Sequence, residues 1–285
     1  MNKTPALPQT IASLHSLLGT PHAPLVIDVR RAPAFAADPC MFPGAIRRTP
    51  DDVADWAPQF AAIATGKAVV VYCVHGHEVS QNTAAHLRTA GIDATHLDGG
   101  IEDWKNAGAP TLRKIAALGI DGSVPGAWIT RERPKIDRIA CPWLVRRFID
   151  PLATFHYVPT ESVVAEARNR NAIPYDIPGV QFSHRGDHGE RCSFDSMLDD
   201  FGLDEPALGD LAVIVRGADT GHPELTPQSP GLLALSLGLS ANFPDDHAML
   251  AHGMVMYDAL YAWLKSARGE QHNAKLFEAP AGARA

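Results

Sequence analysis

The 285-residue chain is short of cysteine, has no long apolar run, and carries no excess of positive charge. Its four cysteines, Cys40, Cys73, Cys141 and Cys192, stand far apart with no CxxC pair. That spacing excludes a disulfide framework and a zinc ribbon, and fits reduced thiols. No stretch approaches the ~20 apolar residues that span a bilayer. The first ten residues, MNKTPALPQT, lack the apolar region of a secretory signal. The expectation is a cytoplasmic protein without a membrane partner. A net charge of −7 argues against bulk nucleic-acid binding.

What is present is ordinary for a globular protein: 46% hydrophobic and 20% charged residues. The length allows one large domain or two ordinary ones. Charge is uneven. Between Thr130 and Arg147 lie six basic residues and two acidic ones, and from Phe148 onward nine basic and nineteen acidic. A basic island thus introduces an acidic half.

One stretch in the first half has a distinct chemical character, Lys67 to Gly91. Ala68 to Tyr72 reads as a buried parallel strand. Cys73 follows at its carboxyl end, then a polar loop, Val74 to Glu78, centred on Gly76. Val79, Thr83, Leu87 and Ala90 recur at helical spacing, and Gly91 stands where a helix would end. A thiol placed there faces loop N–H groups and a helix N-terminus, both of which stabilise a thiolate or a bound anion. Cys73 is therefore expected to be acidic, accessible and nucleophilic; the bland alternative is a cysteine that fills a core. Cys40, in the turn Asp38 to Pro43, is either a second thiol or loop packing.

The same stretch resembles the active-site loop of a rhodanese (sulfurtransferase) domain. Leu25 to Phe35 (LVIDVRRAPAF) resembles that family's first core strand and Asp-Val-Arg turn. Pro43 to Ile46 resembles its Pro-Gly-Ala element, and Leu97 to Pro110 (LDGGIEDWKNAGAP) its closing motif. The resemblance implies a parallel sheet with helices on both faces. It also implies a Cys73 persulfide, held by the loop Val74, His75, Gly76, His77, Glu78 and Val79, with Arg30 of the Asp-Val-Arg turn beside the substrate. The partners implied are a small anionic sulfur donor and a thiol acceptor. The loop lacks the arginine common in this family. His75 and His77, with an intrinsic pKa of about 6.5, either supply positive charge in its place or hydrogen-bond Glu78.

Coarse periodicity places helices at Ile11–Gly19 and Asp52–Ala64, strands at Leu25–Val29 and Ala94–Leu97, and a short helix at Thr111–Leu118. The boundaries expected are a first domain at 1–112, a linker at 113–126, a second domain at 127–268 and a disordered tail at 269–285. In the second domain Trp128–Thr130 reads as the edge of a sheet. Asp137–Ile149 has helical spacing, and Pro142 either kinks that helix or begins it with Cys141 at the cap. Strands are expected at Phe155–Val158 and Val180–His184. Helices are expected at Glu161–Asn169, Phe194–Phe201, Pro206–Arg216, Gly231–Leu239 and Asp245–Lys265, making this part a mixed, mostly helical α+β domain.

Three motifs here, Thr130 to Pro151, Gly179 to Phe194 (GVQFSHRGDHGERCSF) and Leu211 to Asp219 (LAVIVRGAD), resemble the C-terminal domain of the chromate-resistance type B proteins. That resemblance implies a link to chromate, a tetrahedral dianion. Arg131, Arg133, Arg138, Arg146 and Arg216 are candidates to hold an oxyanion; otherwise they pair with acidic neighbours. A metal ion is the one cofactor considered, with His184, His188, Cys192 and Asp219 as ligands and His222 in reserve; otherwise the segment is a hydrogen-bonded loop. Two functions stay open. One is a sulfurtransferase coupled to an oxyanion- or metal-binding domain. The other is a non-catalytic oxyanion or redox sensor. Nucleic-acid binding through the basic island is the weakest reading.

Overall fold

The computed structural model describes residues 7–187 and 190–270. The first half is built on four parallel strands: β1 (Leu25–Asp28), β3 (Ile46–Arg47), β4 (Val69–Tyr72) and β5 (Ala94–His96), ordered β3-β1-β4-β5. Every residue of β1 and of β4 is buried, as a parallel sheet covered on both faces requires. Helices α1 (Ile11–Leu17), α2 (Ala32–Ala37), α3 (Val53–Ile63), α4 (Glu78–Thr89) and α5 (Gly100–Asn106) connect and cover them. Thr10 caps α1, its hydroxyl accepting from Ser13 N at 3.3 Å, and α3 runs through Pro58. A two-stranded antiparallel pair joins β2 (Cys40–Met41) to β6 (Leu112–Arg113).

The motif spacings have local causes. Trp104 is wholly buried and its indole donates to Pro110 O at 2.8 Å, which sets the Trp-to-Pro interval. Within the Asp-Val-Arg turn, Asp28 accepts from the Arg30 guanidinium and from Tyr72 OH at 2.6 Å.

The second half holds a smaller parallel sheet, ordered β8-β7-β9, from β7 (Ala127–Arg131), β8 (Thr154–Val158) and β9 (Ile173–Pro174). Around it lie α6 (Asp137–Leu144), α7 (Val163–Arg170), α8 (Ser193–Phe201), α9 (Pro206–Asp219), α10 (Ser229–Asn242) and α11 (Asp246–Ala262).

Several local expectations are corrected. β7 is the middle strand and not an edge. α6 begins at Asp137, with Pro142 inside it, and passes into a wider turn at Val145–Ile149. Cys141 is therefore interior to the helix, not at its cap. Pro142 cannot donate to the carbonyl of Arg138, and Tyr175 OH meets that carbonyl instead at 3.4 Å. Val180–His184 forms no strand, only a bridge between Phe182 and Tyr175. Thr111–Leu118 gives β6 and a single 3-10 turn, because Cys40 and Met41 offer a strand partner. Cys40 lies in β2 for the same reason.

The halves share one core. Val26, Val70 and Tyr72, from one face of the first sheet, join a buried cluster with Trp104, Trp143, Phe148 and Tyr261. The other face, with Leu25, Ile27, Val69 and Val71, packs with Phe60 of α3 and Leu87 of α4. Gly19 (φ +76°) sits where any Cβ would strike the rings of Phe148 and Tyr261, so the two halves approach closely there. Residues 113–126 lie against the first half: Arg47 N donates to Gly122 O at 2.8 Å, and Ile120 is buried. Among the described residues no helix is long and apolar enough to cross a membrane.

Candidate functional site

Cys73 follows β4 directly and sits beneath the first turn of α4, 6% exposed, with Sγ 3.2 Å from Ser80 Oγ. The loop after it is held by its carbonyls. Cys73 O and Val74 O accept from Ile101 N and Glu102 N, at 3.0 and 3.1 Å. Gly76 O accepts from Gln81 Nε2 at 3.0 Å, and His77 O from Gln81 N at 3.1 Å. The first turn of α5 thus takes up the carbonyl side of the loop. The N–H groups of residues 74–77 donate to no described residue. Unpaired N–H groups in a glycine-centred loop are one requirement of a backbone anion nest.

Two glycines make the fit possible. Gly76 has φ +71°, and a Cβ there would lie 2.5 Å from Leu97 O and 2.7 Å from Gly99 N. At Gly100 (φ +62°) a Cβ would come within 2.5 Å of Gly76 N and 2.6 Å of Cys73 O. The loop and the Gly99-Gly100 turn are mutually fitted backbone. His75, His77 and Glu78 are exposed at the rim, the two imidazole centroids 6.0 Å apart. Glu78 opens α4, and Val79 is half-buried in its first turn. Ser80 was missed by sequence reasoning; its signal is a hydroxyl in the first turn of the helix that faces the thiol.

Arg30, expected beside the substrate, lies inside the fold at 1% exposure. Its Nη2 bonds Asp28 at 2.6 Å and Cys40 O at 3.1 Å, and its Nη1 bonds Asp38 at 2.7 Å. The buried carboxylates, not a ligand, take the guanidinium. Asp38 also receives Lys105 Nζ at 2.5 Å. Burial alone would raise the pKa of Asp38, but Lys105, the Cys40 N–H and Arg30 outweigh it and hold that carboxyl below its ordinary value.

A second gathering lies at the carboxyl ends of the smaller sheet. His184 Nε2 stands 3.2 Å from Asp219 Oδ2, 3.3 Å from Asp176 Oδ1 and 3.8 Å from Asp137 Oδ2. Asp137 is wholly buried at the start of α6 and accepts from Ser193 N and Phe194 N, at 2.8 and 2.9 Å, the opening amides of α8. Burial, with Asp176 and Asp219 close by, still pushes its carboxyl up to about 8. Asp176 is held low: burial opposes this, but His184 and Arg131 prevail. Hydrogen bonds to Asp176 and Asp219 raise His184 to about 11. Asp137, His184 and Asp219 form a group able to hold a metal ion, one ligand atom from each lying within 4.8 Å of the others.

Of the residues expected to ligate, His184 and Asp219 thus meet, joined by the unforeseen Asp137. Cys192 is turned away: it is wholly buried at the cap of α8, its Sγ donating to Asp195 at 3.4 Å. Burial, and then Asp137, push the Cys192 thiol well up. His188 lies outside the described residues. His222 is exposed on Glu224 at 3.0 Å, away from the group.

The five arginines do not converge on one pocket. Arg131 and Arg138 both reach Asp176, at 2.8 and 3.3 Å. Arg216 pairs with Asp195 at 2.6 Å. Arg133 ties the α10–α11 turn through Phe243 O, Pro244 O and Ser240 O. Arg146 lies over the ring of Phe155, 5.1 Å from its centroid. A cleft of about 850 Å³ lies elsewhere, at the amino ends of β1 and β4, lined by Arg146, Arg147, Lys67 and His22 among others.

A cysteine closing a parallel strand, under a glycine-centred loop that opens a helix, marks the first half as a rhodanese-like domain. Comparison agrees. Residues 10–107 match the profile of the rhodanese-like domain, and residues 128–264 match that of the ChrB C-terminal domain. The chain therefore joins a rhodanese-like domain to a ChrB C-terminal domain. Protein ChrB of Cupriavidus metallidurans is 36% identical over 142 residues, 50% of this chain and 41% of that one. Uncharacterized protein slr1261 of Synechocystis sp. is 43% identical over 51 residues, 18% of this chain and 28% of that one. The chain spans less than half the length of these curated relatives. Among solved structures, a rhodanese-related protein from Thermoplasma volcanium has 21% identity and a TM-score of 0.32, covering 37% of this chain and 97% of that one. A rhodanese-like domain protein from Staphylococcus aureus has 22% identity and a TM-score of 0.31, covering 35% and 91%.

Proposed function

We propose that the protein is a sulfurtransferase that carries sulfane sulfur as a persulfide on Cys73. The observation that supports this most is the loop beside the thiol: its carbonyls are taken up by α5 and Gln81, leaving its N–H groups for a bound anion. The Cys73 thiolate attacks the outer sulfur of an anionic donor. A new S–S bond forms, the donor's bond to that sulfur breaks, and the electron pair leaves with the donor remnant. An acceptor thiolate then attacks the terminal sulfur, forming the acceptor persulfide and returning the Cys73 thiolate. Ser80 Oγ, 3.2 Å from Sγ and 3.1 Å from His77 O, turns its single proton to the thiolate before the first step and again after the second. The N–H groups from Val74 to Val79 hold the terminal sulfur, with His75 and His77 at the rim where a donor arrives.

The second half, on this reading, holds a metal or an oxyanion and couples it to the thiol chemistry, chromate being the candidate the ChrB relation brings. Intact-mass measurement after incubation with thiosulfate, and separately with an organic persulfide, tests the first step. The expected result is a gain of one sulfur atom, lost in Cys73→Ser. Chromate consumption equal in wild type and Cys73→Ser would remove the coupling.

The rival reading is a binding module without turnover. The burial of Cys73 favours it, since only 6% of that residue is exposed. Iodoacetamide separates the two: rapid labelling of Cys73 below pH 8 belongs to the transferase, and protection to the module.

A further inference from the structure

The gathering at the carboxyl ends of β7 and β9 has no part in the sulfur chemistry of Cys73, and its geometry is unusual for a set of ion pairs. Three carboxylates from separate segments, Asp137, Asp176 and Asp219, all approach one nitrogen atom, His184 Nε2, within 3.8 Å. A ring nitrogen carries at most one proton, so three acceptors compete for a single donor. Asp176 has other partners: Arg131, Arg138 and the Ser193 hydroxyl, the last at 2.9 Å. Asp137 accepts from Ser193 N, Phe194 N and the Cys141 thiol, so of the three it is Asp219 that depends most on whatever occupies the space before His184.

The distances fit a cation. Ligand atoms about 2.0–2.2 Å from a metal lie about 3–4.2 Å from one another in common geometries. His184 Nε2 is 3.2 Å from Asp219 Oδ2 and 3.8 Å from Asp137 Oδ2.

A second observation concerns the adjoining strand. Thr130, at the end of β7, is wholly buried, and its hydroxyl has no partner among the described residues. Strand alternation puts Thr130 on the face it shares with Trp128, the face that packs with α6. Ile129, on the opposite face, packs with α7. A buried hydroxyl without a partner calls for a polar atom or a water beside it, and the Trp128 indole N–H on the same face lacks a partner too.

Donor chemistry narrows the ion. One imidazole and two carboxylates suit a divalent transition-metal ion, the carboxylates favouring Mn2+ and the imidazole Fe2+ or Zn2+. A thiolate set is ruled out by geometry: the Cys141 thiol donates to Asp137 Oδ1 at 3.3 Å, and the Cys192 thiol faces Asp195. Cys141 is thus an outer partner that orients the Asp137 carboxylate.

We propose that Asp137, His184 and Asp219 ligate one divalent transition-metal ion, with Asp176, backed by Arg131 and Arg138, as an outer carboxylate and with no cysteine in the ligand set. This deepens the reading of the second half as the ligand-holding part and does not depend on Cys73.

The test uses the full chain, stripped with chelator and titrated with Mn2+ by loss of the free-ion paramagnetic resonance signal. Zn2+ is counted by elemental analysis after desalting. The expected result is one ion per chain, with affinity weakened about tenfold or more in His184→Ala and in Asp219→Asn, each checked as folded by circular dichroism. Cys192→Ser binds like wild type. Asp137→Asn is left out because its buried carboxylate supports the start of α8. Absence of stoichiometric Mn2+ and Zn2+ in the wild type overturns the proposal, as does undiminished binding in the His184→Ala/Asp219→Asn double variant. Loss of binding in Cys192→Ser overturns the ligand set. Titration with sulfate and chromate runs alongside. Anion binding without metal binding overturns the metal centre and leaves the ligand-holding reading standing, while sulfur loading of Cys73, measured on the same samples, reports separately on the transferase.

Discussion

Arg30 carries no role at the surface: its guanidinium lies between Asp28 and Asp38 in the interior. Arg30→Ala leaves Asp28 buried without its counter-charge and should cost about 3–5 kcal/mol in urea unfolding. Asp38 makes a prediction with a definite sign. Its folded pKa lies below its ordinary value, so the stability it contributes is present above about pH 3.9 and is lost as pH falls through the lower, folded value. Asp38→Asn should therefore cost about 1–3 kcal/mol at pH 7 and progressively less toward pH 3, read from denaturation midpoints at each pH. At this scale the two sites differed in legibility. Cys73 stands out in one dimension, because strand, thiol, loop and helix are consecutive. Asp137 does not, because its partners are 39, 47 and 82 positions further on at Asp176, His184 and Asp219, and only folding makes them neighbours.

Among the elements, the Cys73 loop and the N-terminus of α5 work as one unit. Gly76 and Gly100 both have positive φ and both lack room for a Cβ. Gly76→Ala should cost about 1–2 kcal/mol from backbone conformation alone, with more from the clash against Leu97 O. It should also slow sulfur loading of Cys73 by displacing the loop N–H groups. A thermal melt and a mass-resolved time course read the two effects separately; unchanged loading would detach the nest from the chemistry. The elements of the first half were largely legible because its strands are unbroken valine- and leucine-rich runs between turn residues. The second half was less so. β7 reads as an edge because its partners, β8 and β9, come 23 or more residues later. Pro142 reads as a helix start because the hydroxyl of Tyr175, which meets the carbonyl it leaves, is remote in sequence.

At the scale of the whole molecule, the shared core makes the two halves interdependent. Phe148 touches both: it packs with Trp143 and Tyr261, and its ring closes over Gly19. Further ties cross the junction, His15 to Glu205 at 3.2 Å and Lys265 Nζ to the carbonyls of His15 and Leu18 at 2.9 and 3.0 Å. The chain should unfold in one transition, with far-ultraviolet circular dichroism and tryptophan fluorescence coinciding. Phe148→Ala should lower that single transition by about 3–5 kcal/mol. Two separated transitions would mean that the common core does not couple the halves.

The amino-acid order alone determined the strand–cysteine–loop–helix unit, the Asp-Val-Arg turn and the Trp-to-Pro closure, since the residues that define each stand close in sequence, although α5 and Tyr72 complete the first two from further away. Tertiary structure alone decided that Arg30 turns inward, that Cys192 leaves the ligand group, and that Asp137 enters it. The physical reason is burial: a charged or polar side chain enclosed in a core must find its partner wherever the fold supplies one. That partner is near in sequence for Arg30 on Asp28 and Cys192 on Asp195, and for Asp137 it lies on segments that local pattern does not connect.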